Sequence, residues 1–455
     1  MRHNGRTVAL DLLMQVEAND AYANLLLPKL ITAAKLDSRE AAFAQELSFG
    51  TLRWALFYDR IVEECAKRYT DEIELDALIV LRFGAHQILN MRVPAHAALS
   101  ETVELAKHYL SRGGVGFVNG VLRRVSEKSI DQWRQIVLAR CESKTERLAV
   151  EFSHPIWVVR ALEHSLKLDG REAEIEQLLA ADNTPPLVNL VALPGLAKSD
   201  DTVGLIAGKA SPIGFELDSG DPQLLRGVQN GGLRVQDQGS QLAALALSRA
   251  KPISEGETWL DVCAGPGGKA ALLAAEASMG HATLVANELQ PHRAKLVESA
   301  LRTVAPQIKV HVGDGVDFCH SKPDFFDRIM LDAPCTGLGA LRRRPEARWR
   351  KSSNDVADLS KLQEQLIAAA FKSLKPGGVL AYVTCSPHQA ETNAIVDLAQ
   401  KRLGADFELL DATDVVKSIS PQLQINTDRK TVQLWPHANG TDAMYIALIT
   451  KRKTK

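Results

Sequence analysis

Through the first 145 residues apolar positions recur with a helical period. Val8, Leu12, Leu13 and Val16 form one series. Leu78, Leu81, Ala85 and Leu89 form a second, and Val103, Leu105, Ala106 and Leu110 a third. Gly84, Pro94 and the pair Gly113 and Gly114 read as breakers between such stretches. The pattern predicts an all-α bundle over residues 1–145, and by itself suggests a structural or docking domain. Residues 146–230 alternate. Trp157 to Leu166 reads as helix and Leu187 to Leu193 as a strand stopped by Pro194 and Gly195, which predicts a small α+β segment.

From residue 231 onward the rhythm is strand, helix, strand, helix. The expected strands are Trp259–Cys263, Thr283–Ala286, Ile308–Val312, Arg328–Leu331 and Val379–Thr384, with an alanine-rich helix at Ala270–Ala277. That alternation predicts an α/β domain with a parallel, doubly wound, Rossmann-like sheet, whose ligand lies at the carboxyl ends of the strands. The chain is thus multidomain, as 455 residues also suggest.

Composition narrows the class. Hydrophobic residues are 45% and charged residues 24%, the balance of an ordinary globular chain. With 54 basic and 55 acidic residues the net charge is −1, so a uniformly basic nucleic-acid coat is excluded, though a local basic patch is not. No apolar run approaches a membrane span, and the N-terminal stretch has the wrong pattern for a signal peptide. A cytoplasmic protein is expected, and its six scattered cysteines should be thiols. No membrane partner and no metal are expected.

The first candidate site is the loop closing the strand at Asp261, namely Cys263, Ala264, Gly265, Pro266, Gly267, Gly268 and Lys269. Its glycines allow a tight turn and a close approach of ligand to backbone. Alone it is as readable as a structural turn. Glu288 ends the next strand, where a carboxylate accepts from ribose hydroxyls. Asp314, between Gly313 and Gly315 after the third strand, is placed to accept from an adenine amine, although turn aspartates are common. Three such loops along one sheet edge describe a nucleoside site, for a dinucleotide or for S-adenosylmethionine.

Two cysteines sharpen the reading. Cys335 follows the fourth strand in Leu331-Asp332-Ala333-Pro334-Cys335, and Cys385 follows the fifth in Thr384-Cys385-Ser386. A lone cysteine is usually a small buried hydrophobe, but both of these belong at the cofactor edge. No C-x-x-C pair or paired histidine supports zinc, and a reducing compartment argues against a disulfide. Covalent catalysis by a thiolate remains. The fitting chemistry is methylation of cytosine at carbon 5. A thiolate adds to carbon 6, carbon 5 becomes enamine-like and takes the methyl group, and a base removes the carbon 5 proton so that the thiolate leaves. Two cysteines suggest divided labour.

With these motifs the sequence resembles RNA cytosine-5 methyltransferases of the RsmB (Sun/Fmu) type, which act on small-subunit ribosomal RNA. The resembling residues are Asp261–Lys269, Leu331–Cys335, Thr384–Ser386, and Val235–Gln238 with Ser240 and Gln241. Glu46–Gly50 and Phe117–Arg124 are similar to the NusB antitermination fold, which implies an RNA-binding role for residues 1–145. The resemblance also implies a ferredoxin-like connecting subdomain over 146–230 and a catalytic domain over 231–455. It makes Cys385 the nucleophile and Cys335 the residue assisting product release. Spacing does not decide those roles, since DNA cytosine-5 methyltransferases attack with the cysteine of the P-C pair. The resemblance implies S-adenosylmethionine as cofactor, held by residues 263–269 with Glu288, Asp314 and Asp332, and ribosomal RNA as partner of a monomer.

Two places depart from the family pattern. Ala390-Glu391-Thr392-Asn393 keeps one acid where the family often has paired glutamates. Asp442-Ala443-Met444-Tyr445 replaces D-G-F-F after Pro436 and His437. Residues 342–351 hold six basic residues and one Trp. Following Cys335 so closely, Arg342, Arg343, Arg344, Arg348 and Trp349 are expected at an RNA rim, where arginines take phosphate and the indole stacks on a base. The competing readings are a transfer RNA cytosine-5 methyltransferase and a non-catalytic NusB-like RNA-binding or antitermination factor. A nicotinamide oxidoreductase is weaker than either.

Overall fold

The computed structural model describes residues 4–19, 21–426 and 428–453. The chain divides into two compact units. One runs through Arg160 and also contains Leu341–Lys351; the other holds Ala161–Ala340 and the chain from Ser352.

The first unit is helical. Val8, Leu12, Leu13 and Val16 bury one face of the helix Gly5–Asn19, and Leu78, Leu81 and Ala85 one face of Leu75–Leu89. Burying such stripes drives assembly, because isolated helices of this length are marginal in water. Caps set the ends. The Asp37 carboxylate accepts from Glu40 N at 2.8 Å and the Ser111 hydroxyl from Gly114 N at 3.2 Å. Such caps contribute about 1 kcal/mol each. Gly84 breaks nothing. It lies inside Leu75–Leu89, where a Cβ would come within 2.5 Å of the Leu122 side chain, so glycine here permits close helix packing. Gly113 and Gly114 likewise fall in the first turn of Arg112–Val125, and the break is at the Ser111 cap. The helix Lys144–Glu151 belongs to this unit, so it reaches beyond residue 145.

The second unit contains two sheets. The smaller is antiparallel, built from β1 Val188–Ala192, β2 Ile206–Ala207, β3 Gly214–Leu217 and β4 Leu233–Val235 in the order β2-β3-β1-β4. The larger holds β5 Thr258–Asp261, β6 Thr283–Glu288, β7 Val310–Val312, β8 Phe326–Asp332 and β9 Leu374–Thr384, all parallel. β10 Phe407–Leu410, β11 Val432–Gln433 and β12 Tyr445–Lys451 extend it antiparallel, giving the order β10-β12-β9-β8-β5-β6-β7 with β11 on β12. The sheet is therefore mixed, not purely parallel. β12 pairs antiparallel with β9, so it departs from the parallel order that the strand–helix alternation predicts.

Alternate residues of the central strands feed two cores. Met330, Ala381 and Val383 pack on one face, and Ile329, Leu331, Leu380 and Tyr382 on the other. Continuous burial of residues 379–384 is the signature of a strand covered on both sides. Among the described residues no helix is long and apolar enough to cross a membrane.

Candidate active site

β5, β6, β8 and β9 end at the same sheet edge, and the expected residues lie on the loops that follow them. After β5 the chain turns through Ala264 to Gly267 and enters the helix Gly268–Met279, with Ala264 N donating to Asn287 O at 2.9 Å. Gly267 has φ +108°, and a Cβ there would approach the Ala300 Cβ to 2.5 Å, so glycine is required on both counts. The Asn287 amide donates to Val262 O at 2.9 Å and Gly313 O at 3.2 Å, tying the loops after β5 and β7 together.

Glu288 is buried. Its carboxylate accepts from Gly265 N at 2.9 Å and Gln290 N at 3.0 Å, and Arg293 Nη1 stands 3.7 Å away. Two backbone donors fix the carboxylate while leaving acceptor capacity for ribose hydroxyls. Asp314 is exposed and caps the helix Gly315–His320, accepting from Val316 N at 2.7 Å and Asp317 N at 3.3 Å. Lys269 donates to Asp332 at 2.9 Å. Burial pulls the Lys269 ammonium down, but Asp332, then Cys385 and Asp261, more than offset it and raise its pKa.

Asp261 is the residue to which the motifs gave no role. It is 1% exposed, and neither carboxylate oxygen has a hydrogen-bond partner. Burial, and then the Asp332 charge, push its pKa up to about 8. A buried acid with acceptor capacity to spare at this loop suits a cationic or N–H-bearing group. Together with the glycine turn and Glu288, it makes this edge fit an S-adenosyl cofactor.

Cys335 Sγ and Cys385 Sγ are 3.5 Å apart, since β8 and β9 are parallel neighbours. Neither is in a disulfide. The hydrogen bond with Cys385, then burial, then the charges of Glu391 and Asp332 hold the Cys335 thiol well above the usual range. Cys263 is likewise raised by burial and by Asp261. Behind the pair, Gly339 N donates to Cys385 O at 2.9 Å and Gly339 O accepts from Ala443 N at 2.8 Å. A side chain at Gly339 would collide with the carbonyls of both Ala443 and Cys385. The sequence reading named neither Gly339 nor Asn287, whose roles depend on contacts between distant loops.

The family model for the 16S rRNA methyltransferase RsmB/F matches residues 250–450, and that for NusB residues 3–127. Rv1407 of Mycobacterium tuberculosis, named as a methyltransferase without a stated substrate, is 41% identical over 451 residues, 98% of this chain and 96% of that one. The ribosomal RNA small subunit methyltransferase B of Pseudomonas putida is 31% identical over 425 residues, 90% and 92% of the two chains. The chain belongs to the RsmB/F family of RNA methyltransferases. The solved structure of PH0851 shares the fold, with TM-score 0.81 at 18% identity over 98% of both chains.

The basic segment of this RsmB/F enzyme is largely turned inward and not set out as an RNA rim. Leu341–Lys351 belongs to the helical unit. Arg348 is fully buried, donating to Ser153 O at 2.9 Å and Arg53 O at 3.4 Å, and Arg342 is 7% exposed. Trp349 Nε1 donates to Leu52 O at 3.0 Å. Arg350 donates to Val16 O and Ala21 O, both at 2.7 Å. A buried guanidinium must spend its donors, and here backbone carbonyls take them. Arg348 is therefore an internal strut, Arg342 is buried and Trp349 is anchored by its N–H; Arg343 is half-buried and Arg344 exposed. The Pro436–Tyr445 segment is fastened similarly, with His437 Nε2 2.8 Å from Glu174 Oε2 and Asp442 N donating to Asp237 at 3.1 Å.

Glu288→Ala should weaken S-adenosylmethionine binding by about 1–3 kcal/mol in calorimetry, with RNA affinity barely moved; unaltered cofactor affinity would remove Glu288 from the site. Asp261 should make the ligand-free protein lose stability as pH rises. Below about pH 4 both folded and unfolded states hold its proton. From there to about 8 only the unfolded state ionises, and the loss is complete above the folded pKa of about 8. The melting temperature of Asp261→Asn minus that of the parent should therefore grow from pH 5 to pH 8. A constant difference would mean that Asp261 is not held protonated.

Proposed function

We propose that the protein transfers a methyl group from S-adenosylmethionine to carbon 5 of a cytosine in 16S ribosomal RNA, through a covalent bond between Cys385 and the RNA. The observation that carries this reading is the pair of thiols 3.5 Å apart at the ends of β8 and β9, beside the Lys269–Asp332 ion pair. Residues 263–269, with Asp261, Glu288, Asp314 and Asp332, would hold the cofactor, which supplies an electrophilic methyl group when bound.

The chain's own groups do the rest. The Cys335 thiol, held protonated by its contact with Cys385 and by burial, lies against the Cys385 sulfur, and the Lys269 ammonium supplies positive charge beside Cys385. Cys385 then attacks carbon 6 and carbon 5 takes the methyl group; Cys335, after giving its own proton to solvent, accepts the carbon 5 proton, and the electron pair released at carbon 5 breaks the carbon 6–sulfur bond and frees the Cys385 thiolate. Asp332 is placed to hydrogen-bond the target ring. The base must leave its stack to reach Cys385, so single-stranded or locally opened RNA is the substrate form. In the helical unit Arg344, exposed with its guanidinium 5.6 Å from the Tyr22 ring centroid, is the expected phosphate contact of the basic segment.

Bisulfite sequencing of total RNA from cells with and without the protein tests the reading. A single 16S cytosine that loses protection supports it. Loss confined to transfer RNA supports the transfer RNA alternative, and no loss anywhere overturns cytosine-5 methylation.

A further inference from the structure

Glu391 is a carboxylate with no solvent exposure, on the turn Gln389–Glu391 that follows Cys385. Its oxygens accept from Thr336 N at 2.8 Å, Thr336 Oγ1 at 2.5 Å and Gln363 Nε2 at 3.3 Å. Thr336 directly follows Cys335. Its hydroxyl, having given its proton to Glu391, accepts from the Ser386 hydroxyl at 3.1 Å, and Ser386 directly follows Cys385. Gln363 also donates to Pro334 O at 2.8 Å, on the other side of Cys335, and Tyr382 OH donates to Glu391 O at 2.8 Å. One buried carboxyl group thus gathers the residues flanking both cysteines. Desolvating a carboxylate completely is costly, and a turn can be held by apolar packing alone. Here the carboxylate bonds to the loop of Cys335 and to the Gln363 side chain that also holds that loop.

We propose that Glu391 is the positioning residue that sets the spacing of Cys335 and Cys385 for attack and release. This rests on the reading that both thiols act on RNA. Glu391 touches neither sulfur in hydrogen-bonding geometry and works through Thr336 and Ser386. The single acid that remains in Ala390-Glu391-Thr392-Asn393 is the one the loops require.

The test uses the full-length enzyme and dibromobimane, which bridges two neighbouring thiols; the Cys335–Cys385 cross-link is followed by peptide mass spectrometry. Glu391→Ala should slow the cross-link roughly tenfold and lower kcat roughly 10²-fold, with RNA KM and S-adenosylmethionine affinity within about threefold. Glu391→Gln, which keeps the shape and one acceptor, should recover much of both. Thr336→Val removes only the hydroxyl relay and guards against a Glu391→Ala protein that does not fold; it should slow cross-link and kcat together by about fivefold. Parent-like cross-linking in Thr336→Val, or in a folded Glu391→Ala, overturns the proposal, as does a kcat loss in Thr336→Val without slower cross-linking. If the parent enzyme methylates no RNA while cross-linking still depends on Glu391, the methylation reading fails and the placement of the thiols by Glu391 stands.

Discussion

Cys385→Ala should abolish methylation and leave no covalent protein–RNA species, whereas Cys335→Ala should also lose turnover but accumulate that species. The difference follows from the order of events. Without the Cys385 sulfur nothing adds to carbon 6, and kcat should fall by roughly 10⁴-fold or more, the scale seen when a nucleophile is removed. Without Cys335 the addition still occurs, because the attacking sulfur and the neighbouring Lys269–Asp332 pair are intact. Elimination is what suffers, so methylated RNA stays attached and a slow-migrating band survives a denaturing gel. The double mutant should show no band, since attack precedes release. If the band instead appears in Cys385→Ala and is missing from Cys335→Ala, the roles are exchanged. Activity retained by both mutants would dispose of the covalent mechanism.

The largest expected stability effect lies far from the thiols in chemistry, at Arg328 of β8. This side chain is fully buried. Its guanidinium donates to Glu257 Oε2 at 2.7 Å, to Leu247 O and Ser248 O at 3.1 and 2.7 Å, and to Lys251 O and Pro252 O at 3.0 and 2.8 Å, and it lies 4.9 Å from the Trp259 ring centroid. Burial would raise the Glu257 carboxyl, but bonds from Arg328, Trp259 and Ser254 overcome it and hold the pKa low. Arg328→Ala leaves the Glu257 charge and four carbonyls without this donor. It should cost about 3–5 kcal/mol, the usual result of breaking a buried pair by removing one partner. The denaturant midpoint of the second unit checks this. Pairing Arg328→Met with Glu257→Gln should recover part of the loss, because no buried charge then stays unpaired. A stability loss below about 0.5 kcal/mol would show that the network is dispensable.

Much of the architecture was determined locally, and hence by the sequence. Helical periodicity marked the bundle, because a helix buries one stripe whatever its partner. Short apolar runs between helices marked β5 to β9. The glycine turn, Glu288 and the two strand-end cysteines were legible because a parallel sheet delivers all its carboxyl ends to one edge. The family resemblance, now supported by the matched models, extended that reading to an RNA methyltransferase.

What the sequence did not determine depends on which distant groups meet. The run at residues 342–351 reads as a solvent-facing basic rim, but charge along a chain does not say where donors end. In the fold Arg348 and Arg350 find carbonyls at Ser153, Val16 and Ala21, residues roughly 200 to 330 positions earlier, and become internal struts. Gly84 looks like a breaker until Leu122 is packed against it. β12 carries no local signal of its place between β9 and β10. Asp261 looks like an ordinary strand-end acid, and only burial beside Asp332 raises it to about 8. Glu391 is one acid among many in the sequence. Its significance arises because β8 and β9 bring Thr336 and Ser386 together, 50 residues apart in the chain and one hydrogen bond apart in space. Periodicity and motifs report forces within a segment; desolvation and hydrogen-bond partnership are properties of the assembled interior, and tertiary structure alone decides them.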